Sequence, residues 1–387
     1  MKNRKYKYKT VPKSWKQRKT TMRKQQRTHQ RDSYAPVKLG KGKSTQFKQP
    51  SPWKVPSLVF LIAMVTIILV IPTLVVVPFI KDEAEESNTI DETVPSETIE
   101  LTAGDSPFSV AVMRANSEKI EDVPLETYVA RVVASEMPGE FEVEALKAQS
   151  LAARTYIVNH LLYQDNPSEP DVTDTTSHQV YNNDEDLRRI LDNDYNWKME
   201  KITEAVAATK GEILTYEDTT ITPAYFSTSN GYTENSEDYW ENKSPYLRSV
   251  ESPWDEDSPK FLDQKIFTIN DVEQTLAIDL PNGELLTMRL SRTESGRVSE
   301  LALAGNTFSG RKVREALDLR SSDFTIEQKN NHLIFTTKGF GHGIGMSQYG
   351  ANGMAEEGKS YQEIVKHYYQ GVEISQLSDT APTLVSK

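Results

Sequence analysis

Leu58 to Ile80 is a run of 23 residues without a charge, and nothing else in the sequence restricts the chain so strongly. A helix needs about 20 apolar residues to cross a hydrocarbon core of about 30 Å. A helix packed in a soluble core keeps a polar face, and this run has none. Residues 57–80 are therefore expected to form a transmembrane helix, which Pro72 and Pro78 bend or end early. A cleaved signal peptide fits poorly, because 56 residues precede the run and no small-x-small site follows it.

Charge divides sharply across that run. Residues 1–56 carry 18 of the 45 Lys and Arg against the single acid Asp32, a balance of +17. The remainder carries 27 bases and 55 acids, a balance of −28, and the two sum to the formal net charge of −11. Asp82, Glu83, Glu85 and Glu86 stand directly after the run. The excess of positive charge before it places residues 1–56 in the cytosol and residues 81–387 outside. The basic segment has no apolar periodicity and reads as a disordered cytosolic tail that sets topology and is attracted to anionic lipid. A +17 segment also attracts nucleic acid unselectively, but no recognition motif supports specific nucleic-acid binding. Residues 81–105 read as an acidic linker. The chain has no cysteine, which excludes disulfides, thiol catalysis and thiolate metal sites.

From Phe108 onward the pattern is that of a folded domain, expected over 106–375 with a short C-terminal tail at 376–387. Ser109 to Met113 reads as a strand. Leu125, Val129, Val132 and Val133 share one helical face, and Pro138 ends that helix with Met137 forced out of helical geometry. A second helix is expected from Glu142 to Leu162, with Val143, Leu146, Ser150, Ala153 and Ile157 as a narrow apolar stripe. Residues 163–185 read as loop, and 186–209 as one helix. Glu212–Tyr216 and Thr222–Phe226 read as strands. Strands mixed with short helices at 272–277 and 310–317 follow, then a glycine-rich stretch from Gly339 to Gly353 and a last helix at 360–369. Helices first and strands later give an α+β class: an N-terminal helical part and a strand-rich C-terminal part.

Four segments carry chemistry-bearing residues. In Ala134-Ser-Glu-Met-Pro138, Glu136 sits at a broken helix end beside apolar neighbours able to raise its pKa. In Lys147-Ala-Gln-Ser-Leu-Ala-Ala-Arg-Thr-Tyr156, small residues allow close approach, and Gln149 and Arg154 are the polar candidates. Tyr225-Phe-Ser-Thr-Ser-Asn-Gly-Tyr232 ends a strand in hydroxyls and a turn, a pattern suited to hydrogen-bonding sugars and equally to an ordinary turn. Gly339 to Ala351 holds five glycines in thirteen residues together with His342, Ser347 and Gln348. It lacks the Lys-Ser/Thr of a phosphate loop. The six histidines show no paired metal-ligand spacing, so no metal and no cofactor is expected.

In this order, the four segments resemble the stage II sporulation protein D family of endospore-forming bacteria and its amidase-enhancer relatives, over roughly residues 106–375. The resemblance rests on Val129–Ile157, Tyr225–Gly231 and Gly341–Ala351; the membrane run ending I-P-T-L-V-V-V-P-F is also similar. It implies a peptidoglycan lytic transglycosylase acting during engulfment, anchored by one membrane helix. The implied substrate is denuded glycan strands, cut between N-acetylmuramic acid and N-acetylglucosamine. The implied partners are an amidase/endopeptidase and a third sporulation membrane protein. Two features depart from the family pattern: the 56 residues before the anchor, and the absence of Cys where some relatives hold zinc near the counterpart of Thr176-Ser-His-Gln-Val-Tyr181.

The resemblance places the family's catalytic acid on Glu136, acting alone as acid and then base while the sugar's own 6-hydroxyl attacks. Ordinary glycosidases need two carboxyls; an intramolecular attack replaces one by proximity. Tyr225, Ser227 and Ser229 are expected to line sugar subsites. His342, Ser347 and Gln348 are expected to bind acetamido or hydroxyl groups or to hold the glycine loop. Gln149 and Arg154 are expected to orient Glu136 or its neighbours. Uncharged glycan suits an acidic domain better than a polyanion does. Two competing classes stand beside this reading. A hydrolase would use a second carboxyl, with Glu140, Glu142 or Glu144 nearest in sequence. A non-enzymatic module would bind glycan and stimulate a cell-wall amidase.

Overall fold

The computed structural model describes residue 101 and residues 106–164, 170–240, 242–281 and 284–385. The basic segment, the apolar run and most of the acidic linker lie outside the described residues. Among the described residues, no helix is long and apolar enough to cross a membrane.

Alternation of Val110 and Val112 turns one face of β1 (Ser109–Arg114) into the core, and β2 (Lys119–Pro124) folds back on it in antiparallel register. Pro124 leads directly into α1 (Leu125–Glu136). Met137 is extended, as the residue before a proline must be, so the helix stops with Glu136 as its last residue. The next helix, α2 (Val143–Tyr163), departs from the expected narrow stripe: from Ala145 to Val158 only Lys147 and Tyr156 are not fully buried. Alanines and serines at these positions let elements close in on every side, which makes α2 the central post of the domain.

Residues 163–185 contain a short strand, β3 (Val172–Thr173), parallel to β1. The single helix expected over 186–209 is two, α3 (Asp184–Leu191) and α4 (Tyr195–Ala208). Asp192 takes a positive φ of 47° between them, where the run Asp-Asn-Asp favours local side-chain hydrogen bonds over helix continuation. β4 (Glu212–Tyr216) pairs with β5 (Thr219–Thr220). The strand expected over 222–226 shrinks to β6 (Tyr225–Phe226), since Pro223 has no N–H to give a ladder.

Residues 262–338 then build a lobe with its own apolar cluster, around Leu301, Val313, Phe324 and Phe335. It comprises β7 (Leu262–Thr268), α5 (Ile269–Leu276), β8 (Met288–Arg292), β9 (Val298–Leu303), β10 (Asn306–Ser309), α6 (Gly310–Ala316), β11 (Phe324–Lys329) and β12 (His332–Lys338). Two antiparallel sheets result, β11-β12-β7 and β10-β9-β8. After the lobe the chain returns to the first core: β13 (Met346–Ser347) lies parallel to β6. The glycine-rich stretch is only partly loop. α7 (Gln348–Glu356) starts inside it, capped by the Ser347 hydroxyl, which accepts from Gly350 N–H. α8 (Tyr361–Tyr368) carries a capping box of Ser360 and Glu363, and β14 (Glu373–Gln376) pairs with β4. Beyond 376, Leu377 and Ala381 are buried, so the expected tail packs into the core. The domain is a mixed α+β fold with its helices concentrated early and its strands late.

Arg154 has no exposed surface. Its guanidinium pairs with buried Glu126 on α1 at 2.6 Å and donates to the carbonyls of Val206 and Glu212. Glu126 also accepts from Gly211 N–H. This one residue ties α2 to α1, to the end of α4 and to the start of β4. Arg154→Ala is expected to destabilise the domain by about 3–5 kcal/mol, because it strands a buried carboxylate. Denaturant unfolding checks this, and a change below about 1 kcal/mol, the scale of an exposed pair, would mean the pair anchors nothing.

Candidate active site

Glu136 is the last residue of α1, at the helix end that Met137 and Pro138 break. It is half-buried. One carboxyl oxygen accepts from Val180 N–H at 2.9 Å, and it makes no other hydrogen bond among the described residues. Burial pushes its pKa above the ordinary carboxylate value, and the Val180 hydrogen bond only partly opposes this. A carboxyl so placed holds its proton to higher pH than an exposed glutamate.

Beside Glu136 runs a hydrogen-bonded chain of side chains. Tyr128 donates to the Gln179 amide oxygen at 3.2 Å, and the Gln179 amide nitrogen donates to the Tyr225 hydroxyl at 3.0 Å. Burial and the neighbouring Glu136 carboxylate raise the Tyr225 pKa well above that of a free phenol, so it stays neutral. Tyr181 stacks on Tyr128 with ring centroids 5.6 Å apart, and its backbone neighbour Val180 holds Glu136. Gln179, Val180 and Tyr181, of the segment Thr176–Tyr181, thus lie alongside the acid and its helix. Gln179, Val180 and Tyr128 were not singled out from sequence. The segment carries no periodicity that would tell which helix end it covers.

The glycine loop is fixed against β6 from below. Gly345 has φ 75°, and a Cβ there would lie 2.1 Å from the Ala224 carbonyl oxygen. A Cβ on Gly343, φ 89°, would strike the guanidinium of buried Arg297. Both positions therefore require glycine. His342 accepts from Ile344 N–H, is hydrogen-bonded to the Tyr225 backbone, and sits among Phe226, Tyr239 and Trp240. Burial, with the nearby Arg314 and Arg297 charges, pushes its pKa down to about 3, so it is a neutral clip for the loop.

Of the other expected sugar-binding residues, Ser227 is half-buried, and its hydroxyl touches only Thr228 at 3.4 Å. Gln348 and Gln149 are buried and meet each other at 3.4 Å, with the Gln149 amide nitrogen unpartnered. The expectation for Ser229 is corrected, and of the two roles expected for Ser347 the one seen is to hold the glycine loop. Ser229 and Ser347 are fully buried, and both donate to buried Asp255, which also accepts from Ser252. Their hydroxyls secure the loop and cannot reach a sugar. Arg154 is consumed by Glu126, as described above.

Among the described residues, no hydrogen bond joins a second carboxyl to Glu136. Glu140 turns outward to Lys198 at 2.6 Å, which lowers its pKa. Glu144 pairs with Lys147 and accepts from Tyr361 N–H. Glu142 is exposed. His160 and His178 meet edge to face at 5.1 Å, each already hydrogen-bonded within the 171–178 loop. The chain has no thiolate to join them. The residues present do not fit the Cys-containing zinc site of some relatives.

Comparison with known proteins adds an independent finding. The family model described as "Stage II sporulation protein" matches residues 113–216. The chain is 46% identical over 330 residues to stage II sporulation protein D of Bacillus amyloliquefaciens, covering 82% of this chain and 96% of that one. It is 44% identical over 318 residues to the Bacillus subtilis protein of the same name, covering 80% and 93%. The amidase enhancer of Bacillus subtilis is 28% identical over 298 residues, covering 63% of this chain and 40% of that protein.

A carboxyl whose folded pKa is raised destabilises the fold on ionising, so its penalty appears as pH rises above the unfolded value near 4.5 and is complete above the folded value. Glu136→Gln is therefore expected to be more stable than wild type at about pH 8, with the gap closing toward about pH 4. Thermal unfolding at the two pH values tests this; a variant less stable at the higher pH would show that the surroundings of Glu136 favour the charged form.

Proposed function

The chain belongs to the stage II sporulation protein D family, and from that premise we propose that it is a sporulation lytic transglycosylase that cuts peptidoglycan glycan strands with Glu136 as its one acid–base group. The observation that carries this reading is the lone, half-buried Glu136 with a raised pKa, facing a neutral tyrosine and joined by no other carboxyl.

Protonated Glu136 gives its proton to the glycosidic oxygen between N-acetylmuramic acid and N-acetylglucosamine as that bond breaks. The carboxylate left behind takes the proton of the muramyl 6-hydroxyl, whose oxygen attacks the anomeric carbon and closes a 1,6-anhydro ring. The proton lent in the first half is replaced in the second, no water enters, and the enzyme ends as it began. A raised pKa serves the first half; ionisation beside neutral Tyr225 and the Val180 N–H makes the carboxylate tolerable in the second. Tyr225 and Ser227, on one face of the extended segment, are the hydroxyls placed to meet the sugar.

In this reading Leu58–Ile80 spans the cell membrane, residues 1–56 stay in the cytosol, and the domain works outside on denuded strands during engulfment. It would act with a cell-wall amidase/endopeptidase and another sporulation membrane protein. The alternative is a glycan-binding module that stimulates an amidase, favoured by the 28% identity to a protein named amidase enhancer.

Purified full-length chain is expected to release anhydro-ended fragments from denuded strands, one water lighter by mass spectrometry than hydrolysis products. Glu136→Gln should keep glycan binding and lose about 10²–10⁴-fold in release rate. Binding without release by the wild-type chain would favour the amidase-stimulating module, and water-added products would favour a hydrolase. Because the acid must carry a proton, kcat/KM should fall on the alkaline side, with an apparent pKa above the ordinary glutamate value.

A further inference from the structure

Lys260 is a cation without a counterion. Its side chain is half-buried, and among the described residues its ammonium makes no ion pair and no hydrogen bond. Instead it lies 5.4 Å from the centre of the Tyr349 ring and 5.8 Å from that of Phe340. The Arg320 guanidinium covers the same Phe340 ring at 5.5 Å. Burial and the Arg320 charge both press the Lys260 pKa below the usual lysine value. Arg320 has only a 3.5 Å contact to Asp263 to offset it, and Glu140, the acid near Tyr349, is held by Lys198. Two cations over exposed Phe340 and half-buried Tyr349, one of them with no anion among the described residues, form a place that gains from an added negative charge.

The patch is built on the strand that carries Tyr225. Tyr349 N–H donates to the Ser227 carbonyl, and Phe340 pairs with Thr228 through two backbone hydrogen bonds. Phe141, five residues past Glu136, packs edge-on against Tyr349 at 4.9 Å. Residues 225 and 228 of an extended segment lie about 10 Å apart, the order of one disaccharide step along a glycan.

We propose that Lys260, assisted by Arg320, binds the lactyl carboxylate of stripped muramyl residues, with Phe340 and Tyr349 as stacking platforms for the sugar rings; this rests on the glycan reading above. Hydrolysis of the amide that joins stem peptide to lactyl group leaves a carboxylate, so a denuded strand carries one negative charge per disaccharide. A strand still bearing peptide has a neutral, bulky amide there instead. The patch thus makes the enzyme select the product of a peptide-removing amidase. The domain's net negative charge does not prevent this, because a contact charge acts within a few ångströms while distant acids are screened beyond about 8 Å.

The test uses the full-length chain with two substrates: denuded strands, and the same strands with their carboxylates converted to methylamides. Wild type is expected to show about a tenfold lower KM for the carboxylate form with kcat unchanged, the scale of one charged hydrogen bond. Lys260→Gln should lose that preference by weakening on the carboxylate strands alone, and Arg320→Gln should lose part of it. Binding of both strands to Glu136→Gln, alone and combined with each substitution, is measured in parallel, so the patch is tested even if no cleavage is seen. Loss of all cleavage with the binding preference intact would sink the enzymatic reading and leave the patch standing. Equal behaviour of wild type toward both strands, or an equal loss on both strands in Lys260→Gln and Arg320→Gln, would overturn the patch.

Discussion

The buried pair between Arg154 and Glu126 is the constraint on which the rest of the domain hangs. A charge taken out of water must be met on every side, and here each donor of the guanidinium has a fixed oxygen to meet. The start of α1, the middle of α2, the end of α4 and the first residue of β4 are thereby held in one relation. Glu136 lies at the far end of α1 from that anchor. A rigid helix with one end pinned and the other cut off by Pro138 presents a carboxyl at a set place and angle.

The second half of the site is assembled by return. The chain leaves at β6, builds a lobe with a separate apolar cluster, and comes back at β13 to lie beside the strand it left. Polar groups join buried Phe226, Ile344 and Met346 in holding that parallel contact. Buried Asp255 gathers the hydroxyls of Ser229, Ser252 and Ser347, and His342 bridges the loop to the Tyr225 backbone. The glycines matter because backbone and guanidinium fill the space where a side chain would go. The conspicuous polar residues Ser229, His342 and Ser347 are thus fastenings of the loop.

Global and local electrostatics point in different directions in this molecule. The balance of −28 after residue 56 argues for a surface that repels polyanions. Yet the acids near the site are occupied by bases, Glu140 by Lys198 and Glu144 by Lys147, while Lys260 is left over. Which charge a ligand meets depends on neighbours within a few ångströms, and a sum over the chain does not record them.

The sequence by itself determined the first strand, the first helix and the helix end that carries Glu136. Alternation marked β1, an apolar helical face and Pro138 bounded α1, and the S-E-M-P segment picked out Glu136, since these signals are local and covalent neighbours carry them. The break at Asp192, the helix inside the glycine-rich stretch and the second apolar cluster were not legible, because short polar and glycine-rich segments take their form from what packs on them. The same holds for the site. Sequence assigned Ser229 to a sugar subsite, Ser347 to sugar or loop and Arg154 to orienting Glu136 or its neighbours, and only tertiary structure paired them with Asp255 and Glu126. Residues 44 positions apart, Glu136 and Val180, meet through one backbone N–H, and every residue type has that group. Composition cannot announce such a partner; it exists only once the chain has folded the loop over the helix end.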